Sequence, residues 1–320
     1  MSIANRMRSA ARKSRWWVKF QDLRRVVGVH LAWDRWRQSR KILRTAPVRT
    51  DPIEPDGPPP DCEVHILTWQ RDYLNGLWAA KSFYRSAGVR WPLVWHEGGF
   101  LSPAARRRLI DHFPDARLIT LKEADDRVGR LLAERGLSHC AACRRKSFML
   151  LKLIDCLALS RAKYLLLLDT DVLFFARPQE LLDAIVSGEP ASLFNRDSKT
   201  WYNLSPDAAR ERYGIDLVEQ VNAGLALVRR EDWRLDMIDD FLTDPDILSE
   251  PWLTEQTVQA LMGSRIGMEF LPPTYPCSVE SGLTAPGGIP LVAKHYPGYP
   301  RPLYYREGIP HLIAAGMLAR

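Results

Sequence analysis

Short apolar segments alternate with amphipathic ones through most of the chain. Apolar runs predict strands and helical spacing predicts helices in seven successive segments, which are strands at 62–69, 91–96, 117–121 and 164–169 and helices at 75–87, 106–113 and 146–158. Strands that alternate with helices are typical of a parallel sheet with both faces covered. The pattern therefore predicts an α/β fold built on a mostly parallel sheet.

The beginning of the chain follows a different pattern. Residues 16–36 carry two apolar stripes at helical spacing, with Arg and Lys between them. Residues 46–60 contain six prolines and one glycine, a composition that stiffens a linker and supports neither helix nor sheet. We therefore predict a basic amphipathic helical arm at 1–45, a proline-rich linker at 46–60 and a folded domain at 61–320.

Charge divides the chain at the same place. The first 50 residues hold 14 basic and two acidic residues, a net charge of +12, whereas the other 270 residues have a net charge of −5. A mildly acidic body argues against nucleic-acid binding. Residues 1–45 would meet an anionic membrane surface or, as the alternative, pack as a helix on the body or on a partner. Five cysteines without regular spacing favour a reducing compartment, and no apolar run reaches the roughly 18 residues of a membrane span. We expect a cytoplasmic protein, peripheral on the inner face of the membrane.

The strongest candidate for chemistry is the acidic pair that follows the apolar run 164–168. Asp169 and Asp171, separated by Thr170, point to the same side of an extended chain, where ligands bind in open α/β sheets. Two close carboxylates repel each other unless a cation lies between them, so a divalent metal that holds a diphosphate would fit here. A helix cap or turn is the structural alternative, and a phosphotransferase of the haloacid-dehalogenase type is the functional one.

Further polar residues follow in the second half of the chain. His295 could complete a metal site, and a nitrogen ligand beside oxygens favours Mn²⁺ over Mg²⁺. Gly298 permits close backbone approach and Arg301 could hold a phosphate. Asn222 precedes the apolar segment 225–228, and a helix that begins at Trp252 has two polar residues, Glu255 and Gln256, in its predicted first turn.

In this order, Asp-x-Asp, Asn-Ala-Gly, an acidic residue followed by Gln, and His-x-x-Gly-x-x-Arg-Pro resemble the landmarks of the family 8 glycosyltransferases over residues 62–302. The resemblance implies the GT-A fold and a retaining reaction. It implies Mn²⁺ or Mg²⁺ at Asp169, Asp171 and His295, and catalytic roles for Glu255, Gln256 and Arg301. The implied contacts to a nucleoside diphosphate sugar are Thr68, Lys152, Asp169, Thr170, Asp171, Asn222, Gly298 and Arg301.

Lys152 and two segments of the chain leave questions open. Lys152 could instead extend its amine past the core to water, because apolar residues flank it on both sides. The segment 68–72 should face the base and ribose, but it departs from the family pattern. The aromatic and polar segment 196–213 is a candidate acceptor site or a structural loop.

The predicted function is metal-dependent transfer of a hexose from a nucleoside diphosphate sugar, expected to be a UDP-sugar, to a glycan or lipid-linked acceptor. Polysaccharide or lipopolysaccharide synthesis would use such an enzyme. Two alternatives remain: an Asp-x-Asp phosphotransferase or sugar nucleotidyltransferase, and a non-catalytic interaction protein built on a degenerate transferase.

Overall fold

A computed structural model describes residues 28–54, 57–298 and 301–318. Helix α1 is described from residue 28 to residue 39, and a 3₁₀ turn, Arg40–Arg44, follows it. Within these ranges, no helix combines the length and apolar character needed to cross a membrane. The remaining elements, in chain order, are β1 (Cys62–Thr68), α2 (Tyr73–Ala87), β2 (Leu93–Glu97), α3 (Pro103–His112), β3 (Arg117–Ile119), α4 (Leu121–Glu134), α5 (Ser138–Lys146), α6 (Met149–Leu159), β4 (Tyr164–Leu168), β5 (Val172–Phe174), α7 (Gln179–Ser187), β6 (Ser192–Arg196), α8 (Pro206–Tyr213), β7 (Val221–Arg229), α9 (Leu235–Phe241), α10 (Pro251–Ile266), β8 (Glu269–Phe270), β9 (Thr284–Ala285), β10 (Ile289–Pro290), β11 (Ala293–His295), a π-helical turn (Tyr304–Gly308) and α11 (Ile309–Ala314).

Seven strands form the central sheet, in the order β3-β2-β1-β4-β7-β6-β8. The first four are parallel, β7 is antiparallel to both of its neighbours, and β8 is parallel to β6. Outside this sheet, β11 pairs antiparallel with β5 and β10 pairs with β9. The predicted fold class, a mostly parallel sheet flanked by helices, is confirmed.

The sheet separates two hydrophobic layers, and β4 contributes to both. Leu166 and Leu168 pack into one layer, and Leu165 and Leu167 pack into the other. A strand buried on both faces needs such a continuous apolar run, because it has no polar face to expose. All five cysteines are buried free thiols.

Several element boundaries differ from those predicted. The helix predicted at 146–158 begins at Met149, because Ser147 is extended and separates it from α5. Asn222 lies inside β7, not at its edge, and His295 itself is the last residue of a strand. Glu255 and Gln256 lie in the second turn of α10, because this helix begins at Pro251.

The segment that precedes β1 is held against the body. Ile42 is completely buried in the core, and Ser39 accepts a hydrogen bond from Trp78 Nε1 at 3.0 Å. Farther along, Val48 N donates to His112 O at 2.9 Å, inside the proline-rich stretch. Residues 39–48 therefore contact the sheet domain, while the division of the chain at 46–60 stays a prediction.

Candidate functional site

The two carboxylates of the acidic pair lie at the carboxyl end of β4. Asp169 N donates to Gly224 O at 2.8 Å, which fixes the end of β4 against β7. Asp171 O accepts from Tyr296 N at 3.0 Å, next to the pairing of β5 with β11. The Asp171 side chain is almost fully buried, whereas that of Asp169 is 30% exposed. The pair therefore faces the junction of three segments that are far apart in the sequence.

The strand register brings His295 to the same place. Its partner across β5 is Val172, and its Nε2 lies 3.3 Å from Asp171 Oδ1. Its Nδ1 lies 2.8 Å from Asn222 Oδ1, and Asn222 Nδ2 donates to Asp197 Oδ2 at 2.8 Å. Because an amide oxygen only accepts, Nδ1 donates its proton in this contact. Nε2 faces Asp171, and its lone pair can bind a cation there when the ring is neutral.

Gly224 makes room for this imidazole. A Cβ atom at residue 224 would lie 2.3 Å from Cε1 and 2.5 Å from Nδ1 of His295. No side chain fits at such distances, so the close approach of β7 to His295 requires glycine. The Asn-Ala-Gly landmark thus supplies both a hydrogen bond and free space to one histidine.

Three groups at this junction could hold a metal ion. One ligand atom from each of Asp169, Asp171 and His295 lies within 4.8 Å of the other two. Two carboxylate oxygens and one imidazole nitrogen form a donor set that suits Mn²⁺. The residues therefore fit the predicted metal.

Positive groups surround the acidic pair. The pKa of Asp171 stays well below its usual value, although burial opposes the shift, because Arg301 and His295 stabilise the carboxylate. Burial alone would lower the pKa of His295, but the neighbouring Cys277 and Asp171 raise it well above the usual value. The site is thus arranged to keep Asp171 ionised.

Arg301 has hydrogen-bonding capacity to spare. Its Nε lies 2.6 Å from Asp171 Oδ2 and its Nη1 lies 3.7 Å from Asp72 Oδ1. Among the described residues, neither nitrogen has an acceptor in hydrogen-bond alignment, although both are shielded from solvent. The backbone of Arg301 has φ +58°, a left-handed conformation that side chains seldom adopt outside constrained sites. A guanidinium with two shielded nitrogens that lack aligned acceptors can bind an anion.

Lys152 does not extend to water, so that structural alternative is wrong. Its side chain is only 2% exposed, and its Nζ lies 2.7 Å from Asp169 Oδ1 and 3.0 Å from Glu255 Oε1. Ala223 O accepts a third bond at 2.9 Å. The two carboxylates raise the pKa of Lys152 although burial opposes them, while burial raises the pKa of Glu255 to about 7. The amine therefore remains a cation between two acids.

A cleft of about 290 Å³ is lined by the acidic pair, Lys152 and Arg301. Trp69 and Phe148 form one wall, with ring centroids 4.8 Å apart, and Trp69 Nε1 donates to Asp72 Oδ2 at 2.7 Å. Sequence reasoning did not identify Phe148, because an aromatic residue at the start of a helix has no distinguishing pattern. The predicted ligand contacts that line the cleft are Thr68, Lys152, Asp169, Thr170, Asp171, Gly298 and Arg301.

Gln256 lies beside the cleft and is not part of its lining. Its Nε2 donates to Trp201 O at 3.2 Å, and its Oε1 lies 3.4 Å from Ala223 N. Glu255, the next residue on α10, lines the cleft through its contact with Lys152. The two neighbours thus point toward different parts of the site.

A second group of metal-ligating side chains is buried elsewhere. His65, His96 and Cys156 lie together in the core, away from the cleft lining. His65 Nδ1 is 2.9 Å from His96 Nε2, and His65 Nε2 is 3.0 Å from Glu63 Oε2. Both ring nitrogens of His65 therefore have protein partners, which joins β1 to β2 through a polar contact.

No protein-family model and no curated protein sequence matches the chain, but solved structures do. An active-site mutant of LgtC shares 15% identity over 81% of this chain and 96% of that chain, with a TM-score of 0.50. LgtC is a galactosyltransferase whose structure was solved with donor and acceptor sugar analogs. Mouse xyloside xylosyltransferase 1 shares 13% identity over 74% of this chain and 97% of that chain, with a TM-score of 0.49. Core-mannan synthase A from Aspergillus fumigatus, solved with Mn and GDP, shares 13% identity over 84% and 89%, with a TM-score of 0.46. At such identity the match to LgtC shows the fold alone, and the chain has this GT-A glycosyltransferase fold.

Proposed function

We propose that the protein is a metal-dependent glycosyltransferase that moves a hexose from a nucleoside diphosphate sugar to a glycan or lipid-linked acceptor. The observation that supports this best is the meeting of Asp169, Asp171 and His295 at the carboxyl end of β4, beside the partly buried guanidinium of Arg301. Retention of anomeric configuration is the outcome that the family 8 resemblance implies, and it forms part of the proposal.

The metal would be Mn²⁺, with Mg²⁺ as the alternative ion. Asp169, Asp171 and His295 would hold it, and when bound it supplies positive charge against the departing diphosphate. Asn222 keeps the Nε2 lone pair of His295 directed at the site through its bond to Nδ1. Lys152 has three protein partners for its amine, so we propose that it orients Asp169 and that Glu255 in turn holds Lys152.

The nucleoside diphosphate would lie along the cleft. Arg301 would bind phosphate oxygens with the N–H groups that lack aligned acceptors, next to Gly298, whose φ of +76° suits a tight turn. The rings of Trp69 and Phe148 offer an apolar wall for the base and ribose. Stacking of this kind tolerates different bases, so both uridine and guanosine donors belong in a test.

The reaction breaks the bond between the anomeric carbon and a diphosphate oxygen, and the electron pair leaves with the diphosphate. The acceptor hydroxyl oxygen forms the new bond to the anomeric carbon, and its proton would pass to the departing diphosphate. Arg301 would stabilise the negative charge that develops on the leaving group. The amide oxygen of Gln256 would stabilise the positive charge on the sugar, and Trp201 O fixes this amide from its other end.

The acceptor would be met on the outer side of Gln256. Trp201 and Trp252 are both about half exposed there, with ring centroids 6.2 Å apart. Exposed aromatic rings next to a reacting sugar are suited to stacking on a glycan. An unchanged acceptor KM in a Trp252→Ala variant would contradict this assignment, which expects a KM raised by about three- to tenfold.

A donor screen tests the proposal against its rivals. The full-length protein is incubated with UDP- and GDP-sugars and Mn²⁺, and release of the nucleoside diphosphate is measured. The proposal expects release from at least one donor, dependent on the metal. Release of inorganic phosphate from sugar phosphates, with every nucleotide sugar left intact, would instead identify a phosphotransferase. Inactivity on both classes of substrate would favour the non-catalytic alternative.

A further inference from the structure

Helix α1 has one face fixed on the body of the molecule. Leu31 is 7% exposed and packs into the core. Arg35 Nη2 lies 3.5 Å from Asp72 Oδ1, and Asp34 Oδ2 accepts from Arg306 Nε at 2.7 Å. These contacts fix which residues of α1 face away from the protein.

The opposite face carries large apolar side chains in the open. Val29 is 69% exposed, Trp33 57% and Trp36 51%, and together we call them the tryptophan stripe. The two indole rings stack with centroids 5.1 Å apart, and the guanidinium of Arg40 lies 5.3 Å from the Trp36 ring. Positions 29, 33, 36 and 40 share one side of a helix. Aligned apolar residues of this size on an outer face usually mark an interaction surface.

Four positive side chains without an ion pair to any described acidic residue border the stripe. Arg37, Arg40, Lys41 and Arg44 follow on the same part of the chain, and no acidic group of the described residues forms an ion pair with any of them. The pKa of Lys41 is lowered by burial and then by its neighbours Arg37 and Arg44. Residues 1–27 of the sequence contain eight further basic residues and one acidic residue. An anionic surface that approaches a cluster of mutually repelling cations stabilises it.

We propose that the tryptophan stripe and these cations dock the protein on a bilayer that contains anionic lipid. Tryptophan is enriched at the membrane–water interface, where its ring lies among the headgroups. A helix with apolar rings on one side and arginines beside them lies in the plane of that interface. A soluble polyanion would use the arginines alone, so burial of the rings distinguishes the bilayer from other anionic partners.

Docking at this surface would affect which acceptor is used, and this inference rests on the proposed glycosyltransferase function. Arg35 of α1 contacts Asp72, and Asp72 lines the cleft 3.7 Å from Arg301. The helix that carries the stripe thus supports a wall of the cleft. An acceptor anchored in the same bilayer would be brought to the cleft by diffusion in two dimensions, which favours a lipid-linked acceptor over a soluble one.

Flotation of the full-length protein with lipid vesicles tests the proposal. The wild type is compared with a Trp33→Ala, Trp36→Ala double variant and with a Val186→Ala, Ile289→Ala control, which removes two exposed apolar side chains outside the stripe and the cleft. The vesicles contain phosphatidylcholine alone or with phosphatidylglycerol, at physiological salt. We expect binding only to the anionic vesicles, about tenfold weaker or more for the Trp33, Trp36 variant, and unchanged for the control.

Binding that survives the Trp33, Trp36 substitutions, or that is equal for neutral vesicles, would overturn the proposal. Release of nucleoside diphosphate from a soluble donor is measured in parallel and should be unaffected by these two substitutions. If vesicle binding behaves as expected while no donor is cleaved, the docking surface stands and the proposed transferase function fails. If the donor is cleaved but the stripe has no effect on vesicle binding, the proposed transferase function stands and the docking surface fails.

Discussion

At the scale of single residues, Gly224 is a position of the site that has no room for a side chain. The Gly224→Ala variant would place a methyl group within 2.3 Å of the His295 ring, so the ring must move. We expect the Mn²⁺ affinity to fall by about tenfold or more and the free energy of unfolding to fall by about 1–3 kcal/mol. Calorimetric Mn²⁺ titration and urea unfolding measure the two effects.

Gly129 supplies a matched control for that substitution. It lies in α4 with no atom within 4 Å of an added Cβ, so Gly129→Ala should leave Mn²⁺ binding unchanged and stabilise the helix slightly. Equal Mn²⁺ affinities in the wild type and the Gly224→Ala variant would show that His295 is not a metal ligand.

Lys152 presents a second prediction at this scale. Lys152→Met keeps the length of the side chain but leaves Asp169 and Glu255 facing each other without the buried cation. We expect the free energy of unfolding to fall by about 3–5 kcal/mol, because an uncompensated buried charge is left behind. Adding Glu255→Gln should restore part of the loss.

Denaturant unfolding of the single and double variants measures this coupling. The control is Lys122→Met, which removes an exposed amine paired with Asp126 and should leave the free energy of unfolding almost unchanged. If the double variant is no more stable than Lys152→Met, the carboxylate repulsion that we infer is absent.

At the scale of elements, the chain before β1 behaves as part of the folded body from Leu31 onward. Ile42 has no exposed surface, and Lys81 Nζ, buried in α2, donates to Thr45 Oγ1 at 2.8 Å. Burial lowers the pKa of Lys81 to about 8, so loss of its oxygen partners would leave an unfavourable amine in the core. Removing residues 1–50 would therefore damage the body as well as the arm.

A milder change tests this packing. Ile42→Ala should lower the free energy of unfolding by about 2–4 kcal/mol, because it deletes buried methyl groups. Val186→Ala, which removes an 88% exposed side chain from α7, should have almost no effect. Equal stabilities of the two variants would mean that the 3₁₀ turn at Arg40–Arg44 does not pack against α2.

The sequence predicted most elements because each is decided locally. The apolar run of β4 reflects burial on both faces, and the helical spacing of apolar residues in α2 reflects packing on the sheet. The predicted ends of both elements lie within two residues of the observed ones. Element ends were less predictable. Asn222 and His295 belong to strands because of partners far away in the chain, β6 and β5, which no local pattern reveals.

At the scale of the whole molecule, the site depends on topology. Asp-x-Asp could be recognised because two carboxylates follow a buried strand, and His295 because it has metal-ligand chemistry. Their contact arises from the antiparallel pairing of β11 with β5, which joins residues more than a hundred positions apart. The hydrogen bond that Asn222 donates to Asp197 and the stack of Trp69 on Phe148 could not be predicted, since neither is encoded in a spacing.

The most direct test of the central claim is Mn²⁺-dependent release of nucleoside diphosphate by an Asp171→Asn variant. Asp216→Asn, a change at an 83% exposed carboxylate, is the control. We predict that Asp171→Asn lowers both Mn²⁺ affinity and the rate of release by more than about a hundredfold, while Asp216→Asn matches the wild type. An Asp171→Asn variant with wild-type Mn²⁺ affinity and release rate would contradict the assignment of this site.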